Sequence, residues 1–299
     1  MRYSTGMRVL IIGGTGFIGP YVAKDLCERG HDVTVFHRGQ HESGLLPDVR
    51  HFRSEQAAMP IVIFPLELLR DPFEIVIHMV AMGENDARAA VQALTGRAAR
   101  LVVLSSGDVY RAYGRFTGLE PGPLEEGLLR EDSPLRETLY PYRAHAKSPA
   151  DLNYFYEKIL VEREVLGRPE LPGTVLRLPK VYGPGGNADL ATVYTYRDRP
   201  DWRWTHGYVE NVAAAIVLAA LHPAAANRVY NVGEANTPTI SERLQTLPPA
   251  TLPLVEAHGY DFQQNIAYDT TRIREELGYT EPVSYEDGLD RTLDSAFTP

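Results

Sequence analysis

A glycine-rich segment near the start of the chain most constrains the fold. Residues 7–12 form a short apolar run, and residues 13–19, with the sequence GGTGFIG, follow directly. Val22 and Leu26 then stand four apart, as on one face of a helix, and Gly30 occupies a position suited to a helix end. A strand, a glycine turn and a helix in this order can hold a pyrophosphate at the helix N-terminus. The segment therefore predicts a dinucleotide-binding βα unit.

The glycines of this loop have different expected roles. Gly13 makes the tight turn, Gly16 lets the main chain approach a pyrophosphate, and Gly19 lets the helix pack closely on the sheet. Phe17 and Ile18 complete the predicted cofactor-binding loop. A glycine turn without a ligand is the alternative, but the strand and helix around the motif favour the cofactor.

The next strand, predicted at 33–36, ends in His37-Arg38-Gly39. No Asp or Glu stands at the position that commonly binds the adenine ribose 2′-hydroxyl. Arg38, with His37, can instead pair with a 2′-phosphate, because a guanidinium forms two charge-assisted hydrogen bonds with such a group. A solvent-exposed arginine is the alternative. The sequence favours NADP over NAD.

Apolar strand-like runs alternate with helix-like segments along the first part of the chain. Further strands are predicted at 75–79, 101–104 and 174–178, and helices at 87–94 and 152–166. This alternation predicts an α/β protein with a Rossmann-type doubly wound parallel sheet. We expect the nucleotide-binding domain to span 1–178, with a long loop at 111–149. Residues 179–299 would form mainly a smaller C-terminal substrate-binding lobe, with 208–233 returning to the Rossmann domain.

Composition excludes several classes of function. A formal net charge of −9 and a pI near 5.5 argue against a broad nucleic-acid-binding surface. We find no apolar run long enough for a membrane span and expect a cytoplasmic protein. The single cysteine, Cys27, precludes an internal disulfide, and we predict no metal site.

A tyrosine and a lysine four residues apart form the candidate catalytic pair. Ser148 and Pro149 are typical of a helix start, so Tyr154 and Lys158 are predicted on one face of the following helix. There the ammonium would favour the phenolate and let Tyr154 transfer protons. Such pairs are common on helix surfaces, so this motif requires support from others.

Other motifs supply that support, in matching order over nearly the whole chain. They are Gly13-x-x-Gly16-x-x-Gly19, Ser105-Ser106-x-x-Val109-Tyr110, Tyr154-x-x-x-Lys158, RLPKVYGPG at 177–185, YVENVA at 208–213 and YNVG at 230–233. Together they resemble the extended short-chain dehydrogenase/reductase family, in particular its NAD-dependent epimerase/dehydratase branch.

The resemblance implies a role for each matching position. Tyr154 would be the acid/base, Lys158 would hold the nicotinamide ribose, and Ser106 would bind the reacting oxygen, with Ser105 only its neighbour. Four further residues would line the cofactor groove or simply pack in the core: Met79, Ala81, Pro179 and Val181.

Some positions depart from the family pattern. Sugar dehydratases carry an Asp-Glu pair where this chain has Gly107 and Asp108, which argues against that dehydration chemistry. Asp108 matches in position a Glu of decarboxylating members, so it is either an auxiliary catalytic group or a turn aspartate. Lys180 replaces an Asn that contacts the substrate diphosphate, and Arg203 lies one residue from the usual arginine. Both suit an anionic substrate, although solvent-facing cations are common.

Three functions remain open at this point. The first is an epimerase or related enzyme acting on a hydroxyl carbon of a sugar, in particular a nucleotide sugar, by transient hydride transfer. The second is an NADPH-dependent reductase or dehydrogenase of a non-nucleotide substrate. The third is a non-catalytic NADP-binding or RNA-associated protein, against which the acidic pI and the complete triad argue. The resemblance also implies a homodimer.

Overall fold

The computed structural model describes residues 6–40, 44, 46–56, 58–186, 188–249 and 259–297. The chain divides into two compact units. Unit 1 comprises residues 1–105, 140–176 and 213–229, and unit 2 comprises residues 106–139, 177–212 and 230–299. Every helix in the described residues is too short or too polar to cross a membrane.

A seven-stranded sheet has the order β3-β2-β1-β4-β5-β6-β9. Its strands are β1 (Arg8–Ile12), β2 (Asp32–His37), β3 (Arg50–Arg53), β4 (Ile75–His78), β5 (Leu101–Ser106), β6 (Gly173–Leu178) and β9 (Arg228–Asn231). Strands β1 to β5 pair in parallel. The run of β-branched and apolar residues in β1, β2, β4 and β5 fits strands covered on both faces.

The order in which successive strands are added to the sheet reverses between β1 and β4, which are themselves parallel. From β1 the strands proceed to β2 and β3 on one side and to β4, β5 and β6 on the other. In this fold, ligands bind at the carboxyl ends of the strands that flank such a switch point. The residues that directly follow β1 and β4 are therefore the first candidates for cofactor contacts.

Among the described residues, four α-helices lie wholly in unit 1. They are α1 (Gly19–Glu28), α2 (Glu84–Leu94), α4 (Leu152–Phe155) and α5 (Lys158–Val165). Helices α2 and α5 pack against each other. The core of this unit is apolar and fully buried, and Leu10, Val76 and Val103 have no exposed surface.

Unit 2 has its own parallel pair of strands, β7 (Lys180–Tyr182) and β8 (His206–Tyr208). Its helices are α3 (Arg111–Phe116), α6 (Ala188–Thr195), α8 (Ile240–Leu244), α9 (Thr271–Leu277) and α10 (Tyr285–Phe297). A further helix, α7 (Val209–Leu221), begins in unit 2 and continues in unit 1. Trp202 stacks on Phe116 with ring centroids 4.9 Å apart, at the centre of an aromatic core.

Most predicted elements of the first hundred residues are confirmed within two or three residues. Gly30 adopts the left-handed conformation, with φ +83, as its place after α1 predicts. The predicted helix at 152–166 is wrong as a single element, because α4 and α5 are separate. Ser148 and Pro149 do not begin it, since Asp151 is the N-cap of α4.

Candidate active site

The glycine loop after β1 has the geometry of a phosphate-binding turn. Gly13 and Gly14 both have positive φ, +96 and +76, which explains why the turn needs glycine. A Cβ at Gly19 would lie 2.2 Å from the Gly14 carbonyl oxygen, so only glycine lets α1 start there. A Cβ at Gly16 would meet nothing within 4 Å, which leaves open space beside the loop. These residues fit a dinucleotide pyrophosphate.

The chain that leaves β4 passes close to this loop. Met79 donates a 2.9 Å hydrogen bond to the carbonyl of Ile12, the last residue of β1. A Cβ at Gly13 would lie 3.4 Å from the Cβ of Met79. Ala81 is fully buried. The structure thus brings Met79 beside the glycine loop, as cofactor-groove residues require.

Lys158, the first residue of α5, is buried at the carboxyl ends of β4 and β5. Its ammonium donates hydrogen bonds to the main-chain oxygens of Ala81 at 2.5 Å and Leu104 at 2.9 Å. A buried ammonium is stable only with such partners. Two strands at the switch-point edge therefore fix the position of this charge.

Tyr154 does not share a helix with Lys158. Its short helix α4 ends at Phe155, and Tyr156 and Glu157 are extended before α5 begins. The four-residue spacing therefore does not place the phenol and the ammonium on one helix face, and this prediction is wrong. The Tyr154 side chain is 39% exposed and lies against Arg143, whose guanidinium carbon is 4.7 Å from the ring centroid. The aromatic ring over the Lys158 ammonium belongs to Tyr156, at 5.6 Å.

Glu157 is the physical reason for the interruption. Its side chain is fully buried, and its Oε1 accepts a 2.9 Å hydrogen bond from the Ile159 amide as the N-cap of α5. The other oxygen accepts a 2.5 Å hydrogen bond from the Tyr140 amide. An N-cap residue has extended backbone angles, so a residue in this role ends the preceding helix.

The two serines at the end of β5 have different environments. Ser105 is buried, and its hydroxyl donates a 2.6 Å hydrogen bond to Glu162 on α5. Ser106 lies in unit 2, where its hydroxyl accepts a 3.3 Å hydrogen bond from the Asp108 amide. Ser106 is half-buried and is thus the more exposed residue of the two.

Asp108 and its neighbours form a buried polar group in unit 2. Only 4% of Asp108 is exposed, and its main-chain oxygen accepts a hydrogen bond from Arg136. Tyr110 donates a 2.6 Å hydrogen bond to Asn231 and packs under the Arg177 guanidinium. Burial raises the pKa of Tyr110 to about 12, although Arg177 opposes this rise. The tyrosine therefore stays protonated and structural at neutral pH.

The two candidate substrate cations have different partners. The Lys180 ammonium lies 4.5 Å from the centroid of the Trp204 ring. Arg203 donates a 2.5 Å hydrogen bond to the Thr237 carbonyl and lies 3.7 Å from Glu242. Arg203 borders a cavity of about 370 Å³ in unit 2, with Asn236, Thr237, Pro238, Glu242, Arg243, Thr246 and Tyr285. Its lining is mostly apolar, and the Glu242 carboxylate beside Arg203 is part of it.

Pro179 and Val181 lie at the start of the small sheet. Val181 is buried in β7, paired with Gly207 of β8. A Cβ at Gly207 would lie 2.9 Å from Pro179 Cγ, so this glycine permits the close packing. Both residues have a packing role in unit 2, and a cofactor role for them stays a prediction.

The turn after β2 carries Arg38 and Gly39. The Gly39 amide donates a 3.1 Å hydrogen bond to His37 Nδ1, and Gly39 has φ +73. His37 is buried and Arg38 is half-buried. Strand β3, which sequence reasoning missed, adds a second arginine, Arg53, opposite His37 in the parallel register. Its polar sequence RHFR gave no strand signal.

The described residues contain no group of three or more His, Cys, Asp or Glu side chains placed to hold a metal ion. The cofactor that the geometry fits is instead a dinucleotide. The strand order, the glycine turn at the switch point and the open space at Gly16 define a Rossmann-type dinucleotide-binding protein.

Comparison with known proteins narrows this class. The sequence profile of the NAD dependent epimerase/dehydratase family matches residues 9–233. The chain belongs to that family, whose members named below are enzymes.

Two curated relatives align with almost the whole chain. A UDP-N-acetyl-alpha-D-glucosaminuronate decarboxylase of Bacillus cytotoxicus is 26% identical, with 96% of each chain covered. A dTDP-glucose 4,6-dehydratase of Streptomyces niveus is 27% identical, covering 96% of this chain and 92% of the relative. Among solved structures, MoeE5 in complex with UDP-glucose and NAD has a TM-score of 0.68 at 22% identity, with 97% of this chain and 98% of that chain covered. This last similarity concerns the fold.

Proposed function

We propose that this chain is an NAD(P)-dependent epimerase acting on a nucleotide sugar. The observation that carries the proposal is the buried Lys158 ammonium, fixed by Ala81 and Leu104 at the edge where β4 ends beside the glycine loop. A cation in this position is suited to hold the ribose of a dinucleotide whose pyrophosphate lies on the glycine loop.

Each member of the triad has a distinct role in this proposal. When bound, the nicotinamide supplies the group that accepts and returns a hydride. Tyr154 removes the proton from the sugar hydroxyl as its carbon is oxidised, and returns it on reduction. Ser106 donates a hydrogen bond to the same oxygen, and Lys158 holds the ribose and provides a positive charge.

The extended residues Tyr156 and Glu157 separate Tyr154 from the helix that carries Lys158, and the mechanism must account for this separation. The phenol of Tyr154 is accessible at 39% exposure, as a group that must reach a substrate has to be. We propose that the productive state brings Tyr154 from its contact with Arg143 toward the face of Lys158. Glu157 then acts as a positioning residue, because its two hydrogen bonds fix the start of α5, and with it Lys158, to the backbone at Tyr140.

The substrate class is proposed from the relatives and from charge. The relatives named above act on UDP- and dTDP-sugars, or were solved with one bound. Lys180 and Arg203 are the cations proposed to face the substrate diphosphate. The positive charges of these two side chains support an anionic ligand in unit 2. We propose that this unit supplies most substrate contacts.

Two other reactions, decarboxylation and net reduction, can be distinguished from epimerisation. A buried Asp108 two residues after Ser106 favours decarboxylation if the sugar carries a carboxylate, and one relative is named for that reaction. The alternative to an epimerase that retains its cofactor is a net reductase of a non-nucleotide substrate. It would consume NADPH stoichiometrically, whereas an epimerase would not.

The proposal includes a preference for NADP over NAD, supported by Arg38 and by the absence of an acidic residue at the end of β2. It also includes a homodimer through α2 and the Tyr154-to-α5 segment, which lie in the same unit. We also propose a cytoplasmic location for the enzyme. Sedimentation of the purified chain tests the dimer.

The experiment that tests the function is incubation of the purified protein with a panel of UDP- and dTDP-sugars, in separate reactions with NADP, NAD or NADPH. Products are separated by chromatography and identified by mass spectrometry, and NADPH is followed by absorbance. Isomerisation without net NADPH change supports the epimerase. Loss of CO₂ from a uronic acid supports decarboxylation, and stoichiometric NADPH consumption contradicts both.

A further inference from the structure

We propose that Arg53 is a second specificity-determining residue, which binds the 2′-phosphate of NADP together with Arg38. The inference rests on the proposed NADP preference and identifies a partner for Arg38 on a different strand. A single guanidinium satisfies only part of a dianionic phosphate, whereas two can each supply charge-assisted hydrogen bonds.

The sheet brings Arg53 to the place where the adenine ribose is bound in this fold. Strands β2 and β3 are parallel, and His37 and Arg53 are partners in their register. The Ser54 amide donates a 2.8 Å hydrogen bond to the His37 carbonyl, so the pairing continues to the carboxyl ends. Arg53 therefore leaves the sheet at the same edge as Arg38.

The Arg53 side chain lies against the turn that carries Arg38. A Cβ at Gly39 would lie 3.4 Å from Arg53 Nε and 3.6 Å from its Cζ. Gly39 also has φ +73, so the backbone conformation favours glycine here. The Arg53 side chain thus lies over Gly39, the residue that follows Arg38. This arrangement brings a second arginine to the turn that carries Arg38.

A pair of histidines fixes the turn to β3. The Gly39 amide donates to His37 Nδ1, so this nitrogen carries no proton and neutral His37 is protonated on Nε2. That nitrogen lies 3.1 Å from His51 Nδ1 and donates to it. The two rings are nearly perpendicular, with centroids 5.1 Å apart. These two hydrogen bonds hold the turn at Gly39 against β3, the strand that ends in Arg53.

The two faces of β3 supply a matched control. Residues two apart on a strand share a face, so Arg53 lies on the face of His51 and Arg50 on the opposite one. Both arginines are exposed, and Arg50 pairs in register with Thr34, three residues before His37. Arg50→Gln removes the same charge from the same strand without touching the turn at Gly39.

The test measures dissociation constants of the full chain for NADP, NAD and adenosine 2′,5′-bisphosphate by titration calorimetry. One or two charge-assisted hydrogen bonds are lost in Arg53→Gln, so we expect NADP and the bisphosphate to bind about 10- to 100-fold more weakly. NAD affinity should change less than about twofold, Arg53→Lys should be intermediate, and Arg50→Gln should resemble the unmutated chain. Thermal unfolding checks that each variant is folded.

Each other result has a defined meaning. An equal loss for NADP and NAD would mean that Arg53 stacks on the adenine or supports the fold, and would overturn the proposal. If the unmutated chain prefers NADP and Arg53→Gln keeps the same preference, only the Arg53 inference is overturned. An unmutated chain without any preference would overturn the NADP proposal and this inference, and leave the epimerase proposal standing. No dinucleotide binding at all would contradict the function itself.

Discussion

The Ser105 hydroxyl donates a 2.6 Å hydrogen bond to Glu162, and both residues are buried in unit 1. This bond links the end of β5 to α5, the helix that begins at Lys158. The Ser105 hydroxyl is thus hydrogen-bonded to Glu162, and we propose Ser106 as the serine that contacts the substrate.

The first prediction separates these two serines. Ser105→Ala should lower the free energy of unfolding by about 1–3 kcal/mol, because a buried carboxylate loses a hydrogen-bond donor. It should leave kcat nearly unchanged. Ser106→Ala should leave stability nearly unchanged and lower kcat about 10²-fold, the usual cost of losing one donor to a reacting oxygen. Urea unfolding and steady-state kinetics measure the two effects, and the opposite pattern would assign catalysis to Ser105.

A second prediction concerns His78, which is fully buried in β4. Burial, assisted by the Lys158 ammonium, lowers the pKa of His78 to about 3. In the unfolded chain the imidazole takes up a proton near pH 6.5, but in the folded chain it does not until about pH 3. Stability is therefore highest above pH 6.5 and falls between these values. The expected slope is about 1.4 kcal/mol per pH unit from this residue.

Urea unfolding at pH 7 and pH 5 tests this expectation. Through His78, the free energy of unfolding should be about 2 kcal/mol lower at pH 5 than at pH 7. His78→Gln is the matched variant, since it keeps a polar side chain that does not titrate. Its free energy of unfolding should fall less between the two pH values than that of the unmutated chain. Parallel pH dependences for both proteins would show that His78 contributes no proton uptake.

The third prediction concerns the two cations of unit 2. Lys180→Ala and Arg203→Ala should each raise KM for the nucleotide sugar about tenfold, because each removes an interaction with the diphosphate. The dissociation constant for NADP should not change. Arg197→Ala, an arginine of the same unit whose guanidinium donates to the Tyr194 carbonyl, is the control. Unchanged KM in both variants would place the substrate elsewhere.

The sequence was most informative where one local pattern decides the structure. The apolar run of β1, the glycine loop and Gly30 each follow from local sterics, and their placement is confirmed. The order of motifs also led to the correct family, since these motifs are spread over most of the chain.

The sequence was less informative where tertiary contacts decide the structure. The segment from Tyr154 to Lys158 has good helical spacing, but the buried carboxylate of Glu157 caps α5 and breaks the helix. Helix α7 is apolar on almost every side, so it lacks the periodicity that reveals a surface helix. Arg53 could not be found because its strand is polar, and its role depends on pairing with β2.

The central claim is that Tyr154 transfers the proton when the substrate carbon exchanges hydride with the nicotinamide. Tyr156 is the matched control, because its ring lies over the Lys158 ammonium. If our assignment is right, catalysis requires the phenol of Tyr154 and not that of Tyr156. Replacing either tyrosine by Phe removes its hydroxyl group with little change in side-chain volume. We expect both variants to fold and to bind NADP with nearly unchanged affinity.

The most direct measurement is therefore kcat of Tyr154→Phe and Tyr156→Phe on the nucleotide sugar that the panel identifies. We predict that Tyr154→Phe loses at least about 10²-fold in kcat, as expected when a general acid/base is removed. Tyr156→Phe should keep most of the activity. A Tyr154→Phe enzyme with nearly full kcat, or an inactive Tyr156→Phe enzyme beside it, would contradict the proposed mechanism.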